Sequence, residues 1–141
     1  NFKDETWYIN TNQTFAFVND TVTASYGTAT PKAHADVTET INGVQYTTPG
    51  LKTQLIKTLK SQVAGILNDT DWYITRNSEK STAIPSSIST HRDAVRTKQA
   101  AMEAQITGAA DTAALQTLYI YTEQEDGSVT RPLGELPVLE S

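Results

Sequence analysis

Residues 37–67, VTETINGVQYTTPGLKTQLIKTLKSQVAGIL, contain the change of hydrophobic period that decides the fold class. Up to residue 48, the chain is rich in Thr, Val and aromatic residues and is broken by turn signals, which is typical of short β-strands. Asn42 and Gly43 interrupt this stretch and form the pair that a type I′ hairpin turn favours, because both central residues need positive φ. From Leu51 onward, apolar residues recur three and four apart, as on one face of an amphipathic helix. The predicted elements are strands Val37–Ile41 and Val44–Tyr46 and a helix over residues 51–68.

The residues upstream continue the β pattern in short segments rich in Thr, Val and aromatic residues. Asn19 and Asp20 separate two of these segments, and both residue types tolerate the positive φ of a tight turn, so a second hairpin is expected. Phe15 and Phe17 are two apart and therefore share one strand face, which we expect to be part of the core. The predicted strands are Trp7–Ile9, Thr14–Val18 and Thr21–Tyr26.

The residues downstream of the first helix indicate two more helices. After the aromatic stretch DWYITR, Pro85 favours a helix start. Ile88, Val95 and Met102 then repeat every seven residues, so a second helix is expected to about Ile106 with its end at Gly108. The remaining predicted elements are a short helix capped by Asp111 and running to about Leu118, a hairpin around Asp126-Gly127, and an extended arm, RPLGELPVLES.

These elements predict an α+β fold, with N-terminal β-hairpins in a small antiparallel sheet and an antiparallel helical hairpin after them. We divide the chain into a β-rich hairpin region (1–49), a helical hairpin region (50–118) and a C-terminal hairpin and arm (119–141). We expect these regions to form one compact unit with an arm, because 141 residues correspond to about one domain. Because the sequence begins at Asn1 rather than Met, it is consistent with a start inside a longer product.

The composition argues against several classes of function. A formal charge of −5 opposes binding to a phosphate backbone, so nucleic acid is not an expected partner. No apolar run approaches membrane-spanning length, and a membrane is not an expected partner either. The chain has no cysteine, which removes disulfides, thiolate metal sites and Cys nucleophiles.

The sequence offers little catalytic chemistry. His34 and His91 lack metal-ligand spacing, and glycine-rich nucleotide motifs are absent, so neither a metal nor another cofactor is expected. Carboxylate pairs, Asp69 with Asp71 and Glu123 with Glu125, leave an envelope-glycan hydrolase as a remote alternative. Their positions at a helix end and around a turn favour structural roles. We therefore expect no catalytic residues and no enzyme activity.

Two stretches, ILNDTDWYITR and SSISTHRDAVRTKQAAMEAQI, resemble the tail-assembly-chaperone-like helical hairpin of tailed-bacteriophage tail and tail-fibre proteins. That family has L-x-x-T/S-D-W at the end of one helix and Y-R-x-A-x-R on the next. The matching residues are Leu67, Thr70, Asp71, Trp72, Arg92, Ala94 and Arg96, while His91 stands where the family has Tyr. The resemblance covers about a third of the chain, and with the β-rich leader it is similar to proteins of marine and cyanobacterial phages.

The resemblance implies a virion protein without catalytic residues. It would be made in the host cytoplasm and placed in the tail, baseplate, neck or fibre-attachment region, with other phage structural proteins and further copies of itself as partners. A tail or tail-fibre assembly chaperone, absent from the finished particle, is the alternative.

From the residues, Trp72 is expected to plug the helical hairpin, and the hairpin edges, guarded by neither Pro nor dense Lys, are expected to pair with neighbours. Arg92 and Arg96 lie on one helix face and contact either a partner or nearby carboxylates. The interface candidates are Trp7, Tyr8, Arg92, Arg96, Leu133, Leu136, Val138 and Leu139.

Overall fold

The computed structural model of the protein describes residues 1–140 and confirms the predicted α+β class. Over this range, strands occupy both ends of the chain and helices occupy the middle. In chain order the elements are β1 (Tyr8–Ile9), β2 (Thr14–Val18), β3 (Thr21–Ser25), β4 (Thr30–Pro31), β5 (Val37–Ile41), β6 (Val44–Thr48), α1 (Leu51–Asn68), α2 (Asp71–Lys80), α3 (Ser86–Gly108), α4 (Thr112–Tyr119), β7 (Thr122–Glu123) and β8 (Val129–Thr130).

The chain divides into two compact units. The first unit comprises residues 1–53 and 109–117, and the second comprises residues 54–108 and 118–141. This division differs from the predicted segments 1–49, 50–118 and 119–141. Most of α4 groups with the β-rich residues, and one link between them is the buried Thr112, whose hydroxyl donates a 2.6 Å hydrogen bond to the carbonyl of Lys32.

Turn chemistry fixes the register of the hairpins in the first unit. Asn19 and Asp20 have φ of 50° and 58°, and Asn42 and Gly43 have φ of 52° and 80°. Each pair is a two-residue loop, so Val18 lies opposite Thr21 and Ile41 lies opposite Val44. Both predicted hairpins are confirmed. Within residues 1–140, however, the strands form separate two-stranded ribbons rather than one shared sheet.

The start of α1 is fixed by a carboxylate from the loop before β5. Asp36 accepts hydrogen bonds from the amide of Gly50 at 2.8 Å and from the hydroxyl of Thr53 at 2.6 Å. These bonds, led by the one from Thr53, lower the pKa of the Asp36 carboxyl. Position 50 requires glycine, because a Cβ there would lie 2.3 Å from the backbone of Ala35.

The apolar stripes of α1 and α3 form the core of the second unit, as their periodicity predicts. Val95 and Ile106 have no measurable exposure, and Met102 is almost as fully buried. On α1, Leu59 and Val63 supply the matching buried face. The helices therefore cover each other's apolar sides, which is the arrangement a helical hairpin requires.

The aromatic stretch after α1 forms the helix α2, which the sequence analysis did not predict. None of the α2 residues is buried, so the prediction that Trp72 plugs the helical hairpin is wrong. Its side chain is 59% exposed and lies 4.4 Å from the guanidinium of Arg76, one helical turn away. Asp71 in the first turn favours helix formation through the helix dipole, and Ser81 at φ 52° ends it.

Candidate interaction surface

The hairpin of β2 and β3, residues 14–25, is named the Phe hairpin. Its register places Phe15 opposite Ala24 and Phe17 opposite Val22. Directly opposed residues share a sheet face, so these four side chains form one apolar face. On the other face, Thr14 and Ser25 hydroxyls lie 2.8 Å apart in a cross-strand hydrogen bond. The Phe hairpin is therefore amphipathic.

The hairpin of β5 and β6, residues 37–48, is named the Tyr hairpin and repeats this pattern. Ile41 opposite Val44 and Tyr46 opposite Glu39 lie on one face, together with Val37. The other face is polar throughout and includes Thr38 and Thr47, whose hydroxyls lie 3.1 Å apart. The Tyr hairpin thus has one largely apolar and one polar face, whereas the second face of the Phe hairpin carries Ala16 and Val18 beside its hydroxyl residues.

Both apolar faces are open to solvent. Phe15 and Phe17 are 68% and 70% exposed, so their predicted place in the core is wrong. The spacing did identify residues that share a face, but whether another element covers that face depends on tertiary packing. Large apolar side chains clustered on an exposed face are characteristic of protein contact sites. Sequence analysis missed Val22, Ile41, Val44 and Tyr46, although the turns and the alternation together determine their shared faces.

Two predicted interface residues are instead buried inside the first unit. Trp7 and Tyr8 are both buried, and neither side chain is available on the surface of the folded chain. In a regular strand, two successive side chains point to opposite faces, so one of the two would point outward. The strand β1 covers only Tyr8 and Ile9, and Trp7 precedes it in a turn in which its amide binds the carbonyl of Asp4.

Arg92 is also buried, and it joins residues 67–71 at the end of α1 to α3. Its Nη1 donates to the carbonyl of Leu67 at 2.8 Å and to the hydroxyl of Thr70 at 2.7 Å. The same nitrogen lies 2.9 Å from the carboxylate of Asp71. Arg92 is only 7% exposed, so it satisfies the end of α1 and is not a surface contact for a partner.

The burial of Arg92 can be predicted from its place in the sequence of α3. It lies four residues after Ile88 and three before Val95, and therefore on the buried stripe of α3. Arg96 lies outside that stripe and remains about half exposed, with Asp93 at 3.6 Å. Of the two predicted kinds of contact, a partner or a nearby carboxylate, both arginines make the second: Arg96 pairs with Asp93, and Arg92 pairs with Asp71.

The last described residues, 131–140, lie against their own unit. Leu133 is buried, and its amide binds the carbonyl of Leu118 at 3.1 Å. Leu136 is half-buried, whereas Leu139 is partly exposed and Val138 is 84% exposed. The predicted arm is therefore packed on its own chain at its start and exposed towards its end.

A polar cluster precedes this exposed part. The hydroxyl of Tyr121 donates to the Glu135 carboxylate at 2.5 Å, and that hydrogen bond raises the pKa of Tyr121. Arg131 pairs with the same carboxylate at 3.1 Å and lies over the rings of Tyr119 and Tyr121. Glu135 is thus paired with a cation and a phenol, and this arrangement serves to hold the chain in place.

Other chemistry is sparse across the described part of the chain. Residues 1–140 contain no cluster of three or more His, Asp or Glu side chains placed to hold a metal ion. Within the same range, no helix has the length and apolar character needed to cross a membrane. Of the carboxylates considered for glycan hydrolysis, Asp71 contacts Arg92, and Glu123 and Glu125 lie exposed near the β7–β8 turn.

Comparison with known proteins found no matching family model, no matching curated protein and no matching solved structure.

Proposed function

We propose that this protein is a structural component of a tailed-phage particle and acts through protein–protein contacts made by its hairpins. The proposed location is the tail, baseplate, neck or fibre-attachment region, with other structural proteins and further copies of the chain as partners. The observation that carries the proposal is the pair of uncovered apolar faces, Phe15-Phe17-Val22 and Ile41-Val44-Tyr46.

A two-stranded hairpin is marginal in water unless its apolar face is covered. The Phe hairpin exposes two phenylalanines, and the Tyr hairpin exposes a tyrosine and three aliphatic side chains. A partner that covers these faces stabilises the strands and removes apolar surface from water in the same step. Association with a partner would explain why no element of the same chain covers the apolar faces of the two hairpins.

The charge distribution favours protein partners. Asp20 is the one charged residue in the Phe hairpin, and Glu39 is the one charged residue in the Tyr hairpin. Interface centres are depleted of charge, because desolvating an unpaired charge is costly. In a chain of net charge −5, each hairpin thus carries a single negative charge, and Glu39, opposite Tyr46 on the apolar face, is the one that a partner has to pair or leave in solvent.

The assignment to a phage particle rests on the resemblance carried by the Leu67–Trp72 and His91–Arg96 stretches. The buried contact between Arg92 and the residues Leu67, Thr70 and Asp71 gives those positions a shared structural purpose. The alternative, an assembly chaperone that leaves before completion, uses the same apolar faces to shield a subunit. The two differ in whether purified particles retain the chain.

The test is incorporation into particles, measured by mass spectrometry of purified virions made with variant chains. The double variant Phe15→Thr with Phe17→Thr removes the apolar face while keeping β-favouring residues. The matched control, Ala16→Thr with Val18→Thr, changes the opposite face of the same strand. We expect the control to be incorporated and the Phe variant to be lost from particles.

Two results would reject this proposal. Normal incorporation of the Phe15→Thr and Phe17→Thr variant would mean that the face is not a contact. Absence of the unchanged chain from purified particles would favour the assembly chaperone.

A further inference from the structure

The helix α2 carries an arginine that no carboxylate of its own chain neutralises. Of the four arginines in the described chain, Arg92, Arg96 and Arg131 each pair with a carboxylate. Arg76 makes no ion pair and no hydrogen bond with any described residue, and its Nε is enclosed without an acceptor. Its two Nη nitrogens are neither enclosed nor hydrogen-bonded. Because a guanidinium is always charged and its N–H groups match a carboxylate, Arg76 has room for one more acidic partner.

Two aromatic rings orient this guanidinium. It lies 4.4 Å from the centroid of the Trp72 ring and 5.5 Å from that of the Tyr73 ring. Both distances are within the range of about 6 Å over which a ring face attracts a cation. The Trp72 side chain is also largely exposed. Arg, Trp and Tyr are the residue types that most often dominate protein contacts. Trp72, Tyr73 and Arg76 are therefore named the Arg76 patch.

The turn between β7 and β8 offers the opposite charge. Glu123 and Glu125 are exposed there, and neither side chain makes an ion pair or a hydrogen bond with the described residues. Asp126 instead maintains the turn, since its carboxylate accepts hydrogen bonds from the amide and the hydroxyl of Ser128 at 2.9 and 2.6 Å. The turn thus holds its own shape and leaves two carboxylates unpaired.

One of these carboxylates lies beside an exposed apolar side chain. Glu123 is directly opposite Val129, so both point to the same face of the β7–β8 hairpin. Val129 is 57% exposed. A carboxylate beside an apolar side chain complements a guanidinium beside an indole, in charge and in polarity. Glu123, Glu125 and Val129 are named the acidic turn.

We propose that the acidic turn of one copy of this chain binds the Arg76 patch of another copy. A carboxylate of the turn accepts hydrogen bonds from both Nη groups of Arg76, which is the strong, charge-assisted form of this contact. Val129 then covers the exposed indole of Trp72. The contact joins two different surfaces, so it repeats from copy to copy in a ring or a filament. The inference goes beyond the proposed function and depends neither on the hairpin faces nor on the phage assignment.

The contact is small and charged, so it is weak between free chains. Stable interfaces bury more than about 1,000 Å² in total, and a few side chains on each copy do not reach that area. Salt also screens exposed charges. A weak contact of this kind becomes effective when other contacts already hold the copies side by side, because the second contact is then intramolecular.

Nuclear magnetic resonance of mixed chains detects such weak binding and identifies its two sides. A dilute, isotopically labelled chain of unchanged sequence reports through the indole N–H signal of Trp72. The indole signal of Trp7, which is buried in the first unit, is the internal reference. An excess of an unlabelled chain carrying Arg76→Gln is added. This donor keeps the acidic turn but has lost its own patch, so donor molecules do not occupy one another.

Two further donors separate the acidic turn from charge in general. The first adds Glu123→Gln and Glu125→Gln to the Arg76→Gln chain and so neutralises the turn. The matched control adds Asp20→Asn and Glu39→Gln instead, which removes the same charge from two other exposed positions. All of these substitutions except Arg76→Gln are at exposed positions, and circular dichroism checks that each donor is folded.

The proposal predicts that the Trp72 signal moves as the Arg76→Gln donor is added, while the Trp7 signal does not. The shift is retained with the matched control, is several-fold smaller with the neutralised turn, and decreases with added salt. No movement of the Trp72 signal at the highest donor concentration would overturn the proposal. Equal shifts with the neutralised turn and with the matched control would also overturn it, since a surface other than the acidic turn would then bind the patch.

Discussion

The Phe hairpin and the α1–α3 pair are both amphipathic, yet only the helices bury their apolar side. Met102 and Val95 are buried, whereas Phe15 and Phe17 lie in solvent. Each helix finds its cover on the other helix within the chain. The hairpin has a face of the same character without a cover of its own. An amphipathic pattern therefore shows which residues share a face, and the structure shows which of those faces are covered within the chain and which stay exposed.

Truncating one large apolar residue in each region tests this contrast most strongly. Met102→Ala removes a buried side chain and is expected to lower the free energy of unfolding by about 3 kcal/mol. Phe17→Ala removes a larger but exposed side chain, and the expected change is within about 0.5 kcal/mol. Urea unfolding of the isolated chain, followed by circular dichroism, measures both. A loss above about 2 kcal/mol for Phe17→Ala would mean that the face is covered in the free chain.

The two arginines of α3 extend the comparison to polar groups. Arg92→Met leaves the Thr70 hydroxyl, the Leu67 carbonyl and the Asp71 carboxylate without their shared donor. The expected loss is about 2 kcal/mol, less than for a fully buried ion pair because Asp71 is half exposed. Arg96→Met, the matched control, breaks only an exposed pair and is expected to cost within about 0.5 kcal/mol. Equal effects in urea unfolding would remove the structural role assigned to Arg92.

The sequence predicts most elements because their signals are local. The Asn19-Asp20 and Asn42-Gly43 turns and the stripes of α1 and α3 each lie within a few residues, and the structure places elements where those signals do. The helix α2 was missed because DWYITR has aromatic and β-branched residues that also suit a strand. Its helical state follows from Asp71 at its first turn and the stacking of Trp72 with Arg76 one turn later.

The candidate surface was harder to predict than the elements, because exposure depends on what lies across from a face. The spacing of Phe15 and Phe17 assigns them to one face of β2 but gives no information on its cover. The burial of Arg92, in contrast, follows from its spacing to Ile88 and Val95. It was not predicted because arginine side chains are usually exposed. The extended arm was expected from its prolines, whereas the fixed turn before it depends on the contact of Arg131 with Glu135.

Two glycines distinguish a required backbone conformation from a tolerated one. Gly43 has positive φ in the turn of the Tyr hairpin, so Gly43→Ala is expected to destabilise the hairpin by about 1 kcal/mol. Gly65 lies inside α1, and a Cβ there meets nothing within 4 Å. Gly65→Ala is therefore expected to stabilise the chain by up to about 1 kcal/mol. Thermal unfolding of both variants checks the opposite signs, and a destabilising Gly65→Ala would contradict the open environment of that position.

Trp72 is expected to contribute little to the free energy of unfolding. Because the ring is largely exposed and contacts Arg76 on its own helix, Trp72→Ala is expected to cost below about 1 kcal/mol. A fully buried ring that plugs the helical hairpin would instead cost about 3–5 kcal/mol. Urea unfolding distinguishes the two values, and a loss in the higher range would restore Trp72 to the core of the helical unit.

Hydroxyl-radical footprinting of the free chain and of purified particles tests the central claim, that the hairpin faces are covered on assembly. The probes are Phe15, Phe17 and Tyr46, all exposed in the free chain, and Tyr121, about as exposed as Tyr46 but outside the hairpins, is the reference. We predict several-fold slower modification of the three probes in the particle relative to Tyr121. Modification of the probes at the same rates in both states would contradict the account.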